Sequence, residues 1–265
     1  MLPGGRGDNE PKGLGFAETQ APYESPSQNA RVLTEAWALG WLYCPNCGNE
    51  SIERFENNRP VSDFFCGKCG EQYELKSKKG KFGNKVVDGA FRTMQQRLTS
   101  DANPNFAFLS YNLLQREVVN LFVVPKQFVV PEIIEERRPL PPSARRAGWV
   151  GCNIRLDQLP ALGRVHMVRD SKITPKDLVI EQWQKSLFLR NKTLETRGWL
   201  LEVMACCEAI GKPEFDLDEV YLFEQRLSKI YPENRHVKQK IRQQLQVLRD
   251  SGYLGFIGRG RYRLS

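Results

Sequence analysis

Asp63 is followed eleven residues later by Glu74-Leu75-Lys76, a D…ExK pattern inside DFFCGKCGEQYELK. Two carboxylates and an amine are the groups needed to hold a divalent cation and steady an attacking water. In an extended segment alternate side chains share a face, so Glu74 and Lys76 should point one way and Leu75 into a core. With Asp63 on the partner strand, its carboxylate can meet that of Glu74 in an oxygen-only site suited to Mg2+. Lys76 would then stand beside the ion and offset developing phosphate charge. An ExK triplet after a strand also arises by chance, so the pattern alone is compatible with a purely structural hairpin.

Cys44-Pro45-Asn46-Cys47 and Cys66-Gly67-Lys68-Cys69 are separated by eighteen residues, the spacing of a structural four-cysteine zinc site. Four thiolates close a tetrahedral shell and leave no position for chemistry, so this ion is expected to act as a clamp that fixes the register of Asp63 against Glu74. Two disulfides are the alternative. Against them, Cys152, Cys206 and Cys207 bring the total to seven. An odd count, in a chain where no secretory signal is read, suits a reducing compartment.

The elements that must position these groups can be read from composition and pattern. With 265 residues, 40% hydrophobic and 26% charged, the chain is long enough for one large or two modest domains. No run approaches the ~20 apolar residues of a membrane span. The net charge of +8 is unevenly spread: residues 234–265 hold eight Lys or Arg against one acid, and residues 75–97 hold seven against Asp88. Two concentrated basic surfaces, one beside the candidate site, suit a nucleic-acid partner.

Residues 1–25, rich in Gly and Pro, read as a disordered leader. Ser27 is a plausible N-cap for a helix through Trp41, with Val32, Leu33, Trp37 and Leu39 among its apolar residues. Glu35 on that helix is either a further metal ligand or a solvated charge. SIERFENNRP reads as a short strand and a polar turn around Asn57-Asn58, ahead of the hairpin. KSKKGKFGNK reads as a flexible basic loop placed to hold phosphates, residues 86–100 as a helix, and NFAFLSY and VVNLFVV as two strands. PEIIEERRPLPPSARRAGW, with four prolines, should be an irregular loop. Arg145, Arg146 and Trp149 could grip a phosphate and press a ring on a base, or Trp149 could anchor the loop in the core. Cys152 reads as a small core residue.

A boundary is expected near residues 188–193. Beyond it RGWLLEVMACCEAI reads as a helix in which Cys206 and Cys207 pack, and FDLDEVYLFEQRLSKIY as a second helix capped by Asp216. In ENRHVKQKIRQQLQVLRD, Val237, Ile241, Leu245 and Leu248 form an inward stripe, while Arg235, His236, Lys238, Gln239, Arg242, Gln243 and Gln246 occupy the other face, with no acid from Arg235 to Arg249. Arg, Lys and Gln reach base edges in a major groove. Gly252 should end this helix, and a hairpin carrying Arg259 and Arg261 follows. Three helices and a basic β-ribbon is the order of a winged helix, which binds either DNA or protein.

RVLTEAW, YCPNCGN, FENNRPVSDF, ELKSKKG, ARRAGWVGCNI, SLFLR, KIRQQLQVLRD and GRGRY strongly resemble, in order and spacing, the DpnI-type methyl-directed (type IIM) restriction endonucleases. The resemblance implies an α/β PD-(D/E)xK nuclease core with an embedded four-cysteine zinc site over residues 26–190, followed by a C-terminal winged helix over 191–265. Asp63, Glu74 and Lys76 fall on the family's catalytic positions, and Cys44, Cys47, Cys66 and Cys69 on its zinc positions. One departure is that Pro60 lies three residues before Asp63, with Val61-Ser62 between them. The implied substrate is double-stranded DNA with 6-methyladenine in GATC, cut in the cytoplasm of a prokaryote by what is expected to be a monomer. Burying a methyl group gains on the order of ~1 kcal/mol, with Trp149 the candidate contact in the first domain and the third helix in the second. The rival from another class is a zinc-ribbon, winged-helix DNA-binding regulator without catalysis. A zinc-dependent RNA-binding protein is a third reading.

Overall fold

The first helix, α1 (Pro26–Trp41), puts Trp37, Ala38 and Trp41 on one buried face. The computed structural model describes residues 13–16, 25–55, 62–100 and 103–265. After α1 come β1 (Glu53–Arg54), β2 (Phe64–Phe65), β3 (Gln72–Lys79), β4 (Lys85–Ala90), α2 (Phe91–Leu98), β5 (Asn105–Asn112) and β6 (Glu117–Val124). β7 (Ile134–Glu136), β8 (Gly151–Arg155), β9 (Val165–Arg169), β10 (Lys172–Ile173) and α3 (Lys176–Ser186) complete the first part. β1-β2-β3-β5-β6-β9-β10 form one sheet, and β4-β8-β7 a second, smaller one.

β5 is buried along nearly its whole length, and its side chains alternate between two cores. Ala107, Leu109 and Tyr111 join Trp37, Trp41, Val179 and Trp183 on the face covered by α1 and α3. Phe106 and Phe108 join Met94 and Leu98 of α2 and Cys152 and Ile154 of β8 on the other. β3 runs parallel to β5, with Glu74 opposite Phe106 and Lys76 opposite Phe108. A parallel pair needs a crossover. β4 and α2 supply it, and so return over the face from which Glu74 and Lys76 project.

The chain continues with α4 (Leu194–Ala209), β11 (Glu214–Asp216), α5 (Leu217–Tyr221), α6 (Glu224–Ile230), α7 (Val237–Asp250), β12 (Leu254–Gly258) and β13 (Arg261–Leu264). Helices packed beside a β11-β13-β12 sheet make a winged helix. Its apolar interior is continuous with the core of the first part: Trp199, Leu200 and Ile241 belong to the same cluster as Phe106 and Phe128. Polar contacts tie the two parts as well. The Tyr231 hydroxyl donates to Glu132 Oε1 at 2.9 Å, and Glu208 accepts from the Ala161 N–H at 3.0 Å.

Several elements differ from the sequence reading. Residues 86–90 are strand, not helix: Val86 and Val87 pair with β8, a role that suits their β-branched side chains, and only Phe91–Leu98 is helical. The lysine-rich loop is shortened at both ends, because β3 runs on to Lys79 beside β5 and β4 begins at Lys85. In the proline-rich stretch, residues 134–136 pair with β8 before the irregular part begins. The second helix of the winged domain is interrupted: α5 and α6 are separate, preceded by β11, with Asp216 and Glu219 forming the capping box of α5. The cap of α1 is Ser25, one residue before Pro26, and Leu39 is 38% exposed.

Of the stretch read as a disordered leader, residues 13–16 lie against β6. Gly15 bridges Glu117, and the Phe16 ring packs edge-on to Tyr111. The turn placed at Asn57-Asn58 lies outside the described residues, as do Pro60 and Val61.

Candidate active site and metal centre

The two cysteine knuckles are near copies of each other. In each, the glycine after the second cysteine has a positive φ, +72° at Gly48 and +75° at Gly70, a conformation that glycine adopts without strain. The turn lets the Gly48 N–H donate to the Cys44 carbonyl and the Gly70 N–H to the Cys66 carbonyl, both at 2.8 Å. Cys44 Sγ lies 3.5 Å from Cys69 Sγ and Cys47 Sγ 3.6 Å from Cys66 Sγ, and all four sulfurs are within 4.8 Å of one another. A tetrahedral shell with Zn–S bonds of about 2.3 Å has edges near ~3.8 Å, so the cluster fits that ion. None of the cysteines is in a disulfide, which sets that alternative aside. Burial pushes the Cys44 thiol above its ordinary value, so a cation is what would hold it as a thiolate.

This centre is wired to its surroundings. Asn46, inside the first knuckle, accepts from Trp183 Nε1 at 2.9 Å, fixing the cluster to α3. Glu71, beside the second, pairs with Arg190 at 2.9 Å and accepts from Asn105 Nδ2 at 2.8 Å. The Tyr73 hydroxyl lies 3.1 Å from Cys44 Sγ. Tyr73 is the residue immediately before Glu74, so one strand carries both the link to the sulfur cluster and the candidate acid.

β2 is only two residues long, and Asp63 stands just before it. There its Oδ2 accepts the Leu75 N–H of β3 at 2.7 Å. Beyond that point, among the described residues, no strand pairs with the outer edge of β3. A cleft of about 590 Å³ occupies the edge, lined by Glu35 of α1, Asp63, Glu74, Lys76, Lys78 and Lys85. Lys76 Nζ donates to Glu74 Oε1 at 2.6 Å and to Asp88 Oδ1 of β4, while Arg97 Nη1 of α2 donates to Glu74 Oε2 at 3.1 Å. Glu35 accepts from Arg31 and Arg54. Burial raises the Asp63 carboxyl, opposed by the Leu75 N–H, and the nearby Glu35 raises it further. Burial likewise raises Glu74, opposed by Lys76. Both shifts mark carboxylates whose charged form would gain from a nearby cation, and an all-oxygen donor set suits a hard one.

The three residues predicted from the D…ExK pattern therefore line one cleft. Glu35, left open between ligand and solvated charge, is buried and faces the same cleft. Asp88 and Arg97 were missed. The β-branched pair Val86-Val87 ahead of Asp88-Gly89 is the available signal, a strand with an interior glycine that marks a bulge; Arg97 has none.

Among the DNA-contact candidates, Lys238, Gln239, Arg242 and Gln243 are exposed on α7, opposite the buried Val237, Ile241, Leu245 and Leu248. Arg235 and His236 are exposed just ahead of that helix. Arg259 is exposed in the hairpin turn, whereas Arg261 pairs with Asp216 at 3.3 Å and Lys238 with Glu224 at 3.5 Å. The Arg146 guanidinium sits 4.6 Å over the Trp149 ring, which is half-buried against Gly151. Arg145 is exposed.

A mixed α/β core with an acid-and-lysine cleft and a four-cysteine cluster, joined to a winged helix, is an architecture suited to a nucleic-acid enzyme with a separate DNA-binding domain. The model of DpnI, the Dam-replacing family, matches residues 16–192, and that of the Dam-replacing HTH domain matches residues 195–264. The chain belongs to this family of restriction endonucleases. Among the described residues, no helix is long and apolar enough to cross a membrane.

Proposed function

We propose that the chain is a methyl-directed type II endonuclease that cuts double-stranded DNA at GATC sites carrying 6-methyladenine. Residues 26–190 form the cutting domain and 191–265 the second reader, acting as a single chain in the cytoplasm. What supports the reading most is the convergence of Asp63, Glu74 and Lys76 in one cleft beside β3, in a chain of this family.

Asp63 and Glu74 would hold Mg2+, an ion that supplies Lewis acidity and lowers the pKa of a bound water. The protein's own groups do the rest. Asp63 is oriented by the Leu75 N–H, so its carboxylate is fixed before substrate arrives. Lys76, held among carboxylates, orients the attacking water and offsets the growing negative charge on the phosphate. Burial would lower Lys76, but Glu74 and Asp88 outweigh it and raise the amine, so it stays charged. Lys78 and Lys85 at the rim receive the flanking phosphates. Arg145, Arg146 and Trp149 contact DNA from the first domain. Arg235, His236, Lys238, Gln239, Arg242 and Gln243 do so from the second, with Arg259 and Arg261 on the wing.

Incubating the protein with plasmid, methylated or unmethylated, and with Mg2+ or EDTA, tests this. Cutting of methylated plasmid alone, abolished by EDTA, is expected. Intact plasmid in every lane, with binding retained, would favour the non-catalytic regulator.

A further inference from the structure

Asp88 belongs to neither the main sheet nor the D…ExK pattern, yet its carboxylate reaches Lys76. Between Asp88 and Ala90 the pairing of β4 with β8 slips by one residue: Asp88 faces Cys152 and Ala90 faces Gly151, leaving Gly89 as an extra residue. Such bulges re-aim side chains and recur beside active sites. The Asp88 side chain is 5% exposed, and its Oδ1 accepts from Lys76 Nζ. Its Oδ2 is buried and has no hydrogen-bond partner among the described residues. A carboxylate placed only to stabilise the fold would be expected to satisfy both oxygens, since an unmet buried acceptor is costly.

We propose that Asp88 is the positioning residue for Lys76: it holds the amine in place when Glu74 turns its charge to the metal ion. Glu74 is shared, with Lys76 on one oxygen and Arg97 on the other. Once Glu74 serves a cation, Asp88 becomes the carboxylate hydrogen-bonded to the amine, which among the described residues also lies 5.8 Å over the Phe106 ring. Asp88 approaches from a different sheet than Glu74, so the two acids grip Lys76 from two sides. A lysine is a flexible point charge on a four-carbon stem, and displacement by about 1 Å at a reacting centre lowers rates about 100-fold. The inference rests on the reading of the cleft given above.

The test is single-turnover cleavage of a methylated GATC duplex by wild type, Asp88→Asn, Asp88→Glu, Lys76→Ala and Asp63→Ala, with DNA binding, Mg2+ dependence and melting temperature measured on each. Asp88→Asn should cut about 100-fold more slowly at saturating DNA, with half-saturating DNA and Mg2+ concentrations unchanged, and Asp88→Glu should recover most of the rate. The inference is overturned if Asp88→Asn cuts at the wild-type rate while Lys76→Ala and Asp63→Ala do not cut. A rate restored by excess Mg2+ also overturns it, by making Asp88 an ion ligand. So does a loss that is shared by Asp88→Glu and follows a fall in melting temperature. Full cutting by Lys76→Ala and Asp63→Ala would instead remove the reading of the cleft itself.

Discussion

Replacing Tyr73 with Phe deletes one oxygen from a fully packed position. The residue is 2% exposed, its ring lies within the core that also holds Cys44 and Cys66, and its hydroxyl sits 3.1 Å from Cys44 Sγ. A metal-bound thiolate can only accept, so the phenol donates. A hydrogen bond to a charged acceptor contributes about 1.5–3 kcal/mol, and removing such an outer partner of a metal ligand weakens binding about 10–100-fold. Ring packing is unchanged, so the full effect should fall on the ion. Zinc affinity of Tyr73→Phe, measured by competition with a chromogenic chelator, should drop at least about tenfold, equal to about 1.4 kcal/mol. The melting temperature of the zinc-loaded protein should fall by about 2–4 °C. Cleavage at saturating zinc should change little, because Glu74 and Lys76 lie on the other face of β3. A zinc dissociation constant within about twofold of wild type would refute the hydrogen bond's role, and with it the wiring of the cluster to the strand.

Further outcomes follow from other contacts. A Cβ added at Gly198 of α4 would meet the Glu132 carboxylate, which accepts from the Tyr231 hydroxyl across the contact between the two parts, so Gly198→Ala should displace that buried group and destabilise by about 1–3 kcal/mol in a denaturant melt. Arg242→Ala should weaken binding of methylated GATC by about 1–3 kcal/mol and blur sequence preference, whereas Arg145→Ala should weaken all duplexes alike and reduce the salt slope by about one unit. Burial, with Arg169 and Arg164 adding to it and Asp170 opposing, lowers His166 to about 4 from its ordinary 6.5. A depressed histidine binds its proton more readily in the unfolded chain, so its contribution is present above pH 6.5 and is lost as pH falls toward 4. His166→Phe should therefore show a flatter decline of melting temperature across that window, and an unchanged slope would reject the assignment.

The parts legible in the sequence were those whose information is local. Cys44, Cys47, Cys66 and Cys69 declare a four-thiol cluster able to hold a metal ion because ligand spacing is set by the turn each knuckle makes. The stripe Val237, Ile241, Leu245, Leu248 declares α7 because burial follows helical period. Asp63, Glu74 and Lys76 could be proposed together because a hairpin brings near neighbours in sequence into contact. Asp88 could not, since its approach to Lys76 depends on a crossover and a bulge that no local pattern encodes. β4 reads as helix in the sequence because it runs directly into α2 with no turn residue between Ala90 and Phe91. The break between α5 and α6 was hidden for a related reason: the apolar spacing in LDEVYLFEQRL continues through it. Leu14 and Phe16 sit among glycines, and what they pack on, the start of β6 and the Tyr111 ring of β5, is supplied by residues far along the chain.

The proposed chemistry requires that Asp63 and Lys76 serve the cutting step and not recognition. The most direct measurement takes one methylated GATC duplex and follows both gel-shift binding in EDTA and single-turnover cleavage in Mg2+, for wild type, Asp63→Ala and Lys76→Ala. Binding within about threefold of wild type with cleavage reduced by at least about 1,000-fold in both variants is the predicted result. Variants that still cut, or that lose binding and cutting in equal measure, would contradict it.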